Sequence, residues 1–159
     1  MQAICSNTTI AMIFAVSLAA PLPAQAATTD PEIIIYRFPG VLNNGDTDNT
    51  GIATAFHCTN FSGVTETVRI VVRAFDGTLK ANAAFPINHL ATFTASTHAA
   101  AIYTEVSLGT GLVSQGTAAI AATSINVICT AVTLDAASAG PSGFALRGIR
   151  FNPVPGSQE

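Results

Sequence analysis

Charge is what this sequence has least of. Charged residues make up 9% of the 159-residue chain, against about a quarter in ordinary globular proteins. The formal net charge of −3 is thinly spread, and the six basic residues form no run. That argues against a basic face for nucleic acid, so no nucleic-acid partner is expected. The shortage of charge does not point to disorder, because Ile, Val, Leu and Phe remain plentiful and Thr, Ser, Asn and Ala take the surface positions.

Long apolar runs are also missing beyond residue 26. Nothing there approaches the ~20 consecutive apolar residues a spanning helix needs, so no membrane span is expected. Glycine-rich phosphate loops, paired catalytic carboxylates and a Gly-x-Ser-x-Gly elbow are absent from the sequence. Serine, histidine and aspartate of a triad need not be neighbours, so a secreted hydrolase stays open as the least favoured reading. No internal repeat and no second domain are visible.

What is present begins with the first 26 residues. Residues 10–20 form an uncharged apolar run, followed by Pro21, Pro23 and Ala24-Gln25-Ala26, a small-x-small signal-peptidase pattern. The stretch before the run lacks Lys and Arg, which weakens the signature. A short buried helix is the rival reading, but Pro21 and Pro23 would break it at once. No Cys follows in lipobox position. The expected organisation is a signal peptide at 1–26, one domain at 27–151 and an extended tail at 152–159, with the product secreted or periplasmic.

Removing the leader changes the cysteine count. Of three cysteines, Cys5 is discarded and Cys58 and Cys129 remain, an even number in a compartment that permits disulfides. Both share a strand face with apolar residues, Cys58 with Ile52 and Phe56, Cys129 with Ile125 and Val127. Both therefore point into a core. Two buried free thiols are the alternative, and the exported setting favours a Cys58–Cys129 bridge. The spacing is not a zinc pattern.

Turn signals recur at short intervals, with alternating apolar residues between them, the period-2 signature of half-buried strands. Strands are expected at 32–38, ended by Pro39-Gly40, at 52–59 and at 64–74. In the third, Val68, Ile70 and Val72 face one side and Arg69 and Arg73 the other; Glu66 has the parity of the valines. Asp76-Gly77 signals a type I′ hairpin into 78–85, and Pro86 marks an edge or crossover. Further strands are expected at 90–97, 99–108, 112–123, 125–134 (central) and 144–151. The alanine clusters at 99–101 and 118–122 favour helix by propensity, but they lack capping residues and sit among Thr, Val and Ile. About eight or nine short strands in one domain imply an all-β antiparallel sandwich.

Three features invite a functional reading. The loop at 43–51 carries Asp46, Asp48 and Asn49, oxygen donors of the kind calcium selects. The match to a calcium loop fails at its twelfth position, His57, so a polar turn is the favoured reading. Arg69 and Arg73 lie on one strand face and suit an anionic ligand or polymer, or simply keep the face soluble. His57, His89 and His98 are scattered, and strand geometry puts His57 and Cys58 on opposite faces, against a Cys–His pair. No cofactor is implied beyond the calcium reading. Asn60-Phe61-Ser62 matches a glycosylation acceptor, as a chance match.

Taken together, the stretches at 56–82 (FHCTNFSGVTETVRIVVRAFDGTLKAN), 113–135 (VSQGTAAIAATSINVICTAVTLD) and 144–159 (FALRGIRFNPVPGSQE) resemble small secreted proteins of proteobacteria. The resemblance implies a bacterial periplasmic or extracellular setting and brings no known activity or catalytic residue with it. The expected role is a binding or structural module that presents loops or a sheet face to an unknown protein or surface polymer. Self-assembly through poorly protected edge strands is the alternative.

Overall fold

The computed structural model describes residues 31–45, 47–140 and 142–151. The expected leader, the tail at 152–159, Cys5 and Asp46 lie outside them. Within the described residues the chain forms ten strands and no helix. They are β1 (Ile33–Asn43), β2 (Ile52–Asn60), β3 (Glu66–Arg73), β4 (Leu79–Ile87), β5 (Thr92–Ser96), β6 (Val106–Ser107), β7 (Val113–Ala122), β8 (Val127–Asp135), β9 (Gly143–Leu146) and β10 (Ile149–Arg150). Sheet A has the order β10-β1-β7-β3-β4 and sheet B the order β6-β5-β2-β8-β9. All pairings are antiparallel except β5 with β6.

Alternation builds the space between the sheets. Val68, Ile70 and Val72 of β3 and Ala118, Ile120 and Ala122 of β7 meet Phe56, Cys58, Val127, Cys129 and Ala131 of sheet B. One side of the sandwich is closed by Phe85 of β4 stacked on Phe93 of β5, ring centres 4.5 Å apart. At the opposite side Arg150 lies 5.6 Å over the Tyr36 ring and donates to the Ile125 carbonyl at 2.7 Å. Apolar area removed from water drives this assembly, and both ends of the sandwich are finished by aromatic contacts.

Four expectations about the strands need correction. The first strand does not stop at Pro39-Gly40 but runs on to Asn43. Gly40 has φ +84° and sits at a register shift, so the dipeptide makes a bulge. Pro39 is tolerated because β10 pairs only with Tyr36 and Arg37, leaving Pro39 with β7 alone as neighbour. The β3–β4 connection is not type I′. Only Gly77 has positive φ, Gly77 N–H donates to the Ala74 carbonyl, and Ala74 N–H donates to that of Thr78. This is a type I turn closed by a left-handed glycine, and it accounts for the register shift beside Arg73.

The segment at 99–108 is mostly a strap; only Val106–Ser107 pairs, parallel to β5. It crosses the outer face of sheet B, where Ala100, Ile102 and Tyr103 cover Ala53, Ala55, Val132, Leu134 and Ala136 in a second small core. Its alanines serve close packing, so neither helix nor alternation governs them. The last expected strand is two strands in different sheets: β9 pairs with β8, and β10 pairs with β1. The crossing at Gly148 runs against Phe38, where a Cβ would come within 2.4 Å of the ring.

Several buried polar side chains tie the strands together. Asn60, fully buried, donates through Nδ2 to the carbonyls of Val64 and Ile87 and accepts from Ser62 N–H. Its amide is thus a structural tie between β2 and the β3–β4 hairpin, which agrees with the glycosylation match being fortuitous. Asn43 bridges β1 to the Thr110 hydroxyl at 3.0 Å. Glu66, on the core face of β3, is also fully buried. Its Oε2 accepts from the Thr123 hydroxyl and its Oε1 has no partner.

Candidate functional site

Cys58 and Cys129 are bridged. They occupy directly opposed positions on β2 and β8, with Cα atoms 4.1 Å apart across 71 residues of sequence. The bond ties neighbouring strands within sheet B and lies in the main core. In the chain-entropy account, closing a loop of that length contributes about 4 kcal/mol.

The loop at 43–51 is held by bonds to His98 and Ala99 and by bonds within itself. Asp48 Oδ1 accepts from Ala99 N–H at 3.0 Å, and Asn49 N–H donates to the Ala99 carbonyl at 2.8 Å. Asn49 takes φ 60°, a left-handed conformation that asparagine tolerates. The Thr50 hydroxyl donates to the Thr47 carbonyl, and the Thr50 carbonyl meets His98 Nε2 at 2.8 Å. These contacts dock the loop on the strap with the chemistry of a polar turn. Among the described residues, no group of three or more His, Cys, Asp or Glu side chains is arranged to hold a metal.

The histidines stay apart. His57 Nδ1 meets the Thr94 hydroxyl at 3.0 Å and its ring packs edge-on to Tyr103 at 4.7 Å. Burial under the strap pushes the His57 pKa below its ordinary value. His89 Nδ1 accepts from Gly63 N–H, and the buried His98 is tied to the 43–51 loop. Glu105, in the strap, accepts from Ala100 N–H, and burial raises its carboxyl above the usual glutamate range.

Arg69 and Arg73 have different surroundings despite their shared face. Arg69 is clasped by Glu32, Nε to Oε2 at 2.6 Å and Nη2 to Oε1 at 3.1 Å, and donates to Asn82 at 3.0 Å. This paired carboxylate holds its guanidinium pKa up. Arg73 donates once to the Gly77 carbonyl, 2.9 Å away, and lines a groove of about 280 Å³ on the outer face of sheet A. The second cation of that groove is Arg37, whose guanidinium lies 5.6 Å over the Phe151 ring. Thr117 and Ala119 of β7 lie between them, Val71 precedes Arg73 on β3, and Ile149 of β10 flanks Arg37 on its other side.

The register explains the pairing. Arg37 is opposite Ala119, which is opposite Val71; Pro39 is opposite Thr117, which is opposite Arg73. Arg37 and Arg73 therefore sit diagonally across β7, two strands and two residues apart, about 12 Å between Cα atoms by ordinary sheet spacings. The small residues of β7 form the trough. Single-strand parity finds Arg69 and Arg73, because they are two turns of the pleat apart on one chain segment. Arg37 joins Arg73 only through β7, and no local signal marks that neighbour.

In comparisons with family models, curated proteins and solved structures, nothing matches this chain.

Proposed function

We propose that the chain is an exported, disulfide-stapled binding module that meets its partner with the outer face of sheet A. The observation that carries this reading is the division of cationic charge. Of six Lys and Arg residues, five belong to strands of sheet A and the strands of sheet B carry none; Arg37, Arg69 and Arg73 are on the outer face, whereas Arg150 turns to Tyr36 at the side of the sandwich. In a chain so poor in charge, that clustering makes one face electrostatically distinct. The apparent leader at 1–26 and the bridged cysteines support a periplasmic or extracellular setting.

Co-sedimentation with cell-envelope preparations tests the reading. The native protein should pellet, and Arg37→Glu with Arg73→Glu should reduce pelleting steeply and in a salt-dependent way. Equal pelleting of the charge-reversed variant, or none by the native protein, would remove sheet A as the working face. Detection of a mature N-terminus at Ala27 in the exported fraction checks the leader.

Self-assembly is the second reading, favoured by β4. It forms a nine-residue edge of sheet A that starts at the exposed Leu79, after the exposed Phe75 of the preceding turn. Lys80 and Pro86 on that strand oppose edge pairing. Light scattering on the eluting species separates the two readings: a monomer at all concentrations rules out assembly.

A further inference from the structure

We infer that the groove on sheet A is a binding site for a small organic anion with an apolar body, such as a medium-chain or aryl carboxylate. This rests on sheet A being the working face. Two arginines line the groove, Arg37 of β1 and Arg73 of β3, and Val71, Ala119 and Ile149 supply apolar surface beside them. Ile149 is 57% exposed and so presents apolar surface to whatever enters the groove.

The chemistry follows from these parts. Concave sites with mostly apolar linings and a few polar groups suit small ligands. A volume of about 280 Å³ holds roughly nine or ten non-hydrogen atoms at liquid-like density, the size of an eight-carbon carboxylate. Guanidinium groups recognise carboxylates through paired N–H donors. Arg73 uses one Nη1 donor on Gly77, and a guanidinium carries five. Arg69, engaged by the Glu32 carboxylate on the same sheet face, illustrates the contact that the groove would offer to an external carboxylate. The Thr117 hydroxyl in the trough adds a donor between the arginines. The nearest acidic residue in sequence to the groove is Asp76 of the β3–β4 turn, whose Oδ1 accepts from Thr78 N–H and whose carboxyl is held below its ordinary pKa by that bond.

Calorimetric titration of the full-length protein with octanoate tests the assignment, with octanol and octyltrimethylammonium as neutral and cationic controls. The expected result is one site for octanoate, with both controls weaker by about tenfold or more, the worth of one charge-assisted contact. Arg37→Gln with Arg73→Gln should weaken octanoate to the level of octanol. Ala119→Leu, which fills the trough and keeps both charges, should weaken octanoate and octanol alike. Equal affinity for octanoate and the cation, unchanged affinity in both variants, or no heat at millimolar octanoate would overturn the assignment. If octanoate fails while pelleting still depends on Arg37 and Arg73, the face stands without this ligand. If pelleting fails as well, the face itself is lost.

Discussion

The two sheets of this sandwich share a core and differ in how their outer faces are finished. Sheet B holds the Cys58–Cys129 bridge, and part of its outer face is roofed by the strap. It places no Lys or Arg on its strands. Sheet A has no covalent staple among its described strands, leaves its outer face open and carries the arginines. The covalent staple and most of the cationic charge are therefore concentrated on opposite sides of one small core. A chain with few charges can still build a distinct surface, provided that the charges it has converge on one sheet.

The sharpest way to break this comparison is to remove the staple. Cys58→Ala with Cys129→Ala should destabilise the fold by about 4 kcal/mol, read as a lowered denaturant midpoint that reducing agent no longer changes. An unaltered midpoint would mean that sheet B does not depend on its bridge. Next in size is the link between the sheets. Gly148→Ala puts a Cβ against Phe38, and overpacking of this kind costs about 1–3 kcal/mol. Thermal melts of the variant should show it, and an unchanged melting temperature would mean that Phe38 has room to move.

A smaller effect comes from pH, and the two titrating groups of the strap region act in opposite senses. Burial lowers the His57 pKa, so the unfolded chain takes up a proton more readily than the folded one. The stability linked to His57 is full above its ordinary pKa of about 6.5 and declines as pH falls through the folded value. Glu105, raised by burial, binds its proton more tightly when folded. Its contribution is full below the ordinary glutamate value of about 4.3 and is lost as pH rises through the folded value. Between pH 7 and 5 His57 pulls the melting temperature down while Glu105 opposes it, and His57→Gln should remove the downward component of the profile. A slope identical to that of the native protein would remove His57 from the cause. The smallest change belongs to Arg69→Gln, because an exposed ion pair is weak in water. It should leave the melt within error and leave octanoate binding as it is; loss of binding would move the site from Arg37–Arg73 toward Arg69.

Much of this architecture was legible before any coordinates. Alternation in Val68, Ile70 and Val72 was enough to place β3, and the same parity argument put Cys58 and Cys129 on core-facing positions. What escaped were features decided between strands. Ile35 is the extra residue between the Ile34–Ala121 and Tyr36–Ile120 pairs, so Ile35 and Tyr36 are both buried and the parity of β1 changes there. The sheet switch at Gly148 depends on Phe38, more than a hundred residues away in sequence. Parity gave Glu66 a core-facing position, yet its complete burial needed the roof formed by the opposite sheet. The groove was half visible: Arg73 stood out on its own strand, whereas Arg37 becomes its partner only once β7 is inserted between β1 and β3.

The most direct test of a recognition face on sheet A is a backbone amide chemical-shift map of the isotopically labelled protein during octanoate titration. Saturable shifts should gather at Arg37, Val71, Arg73, Thr117, Ala119 and Ile149, with the strands of sheet B unmoved. Shifts centred on the outer face of sheet B, around His57, Thr94 and Thr130, would contradict it.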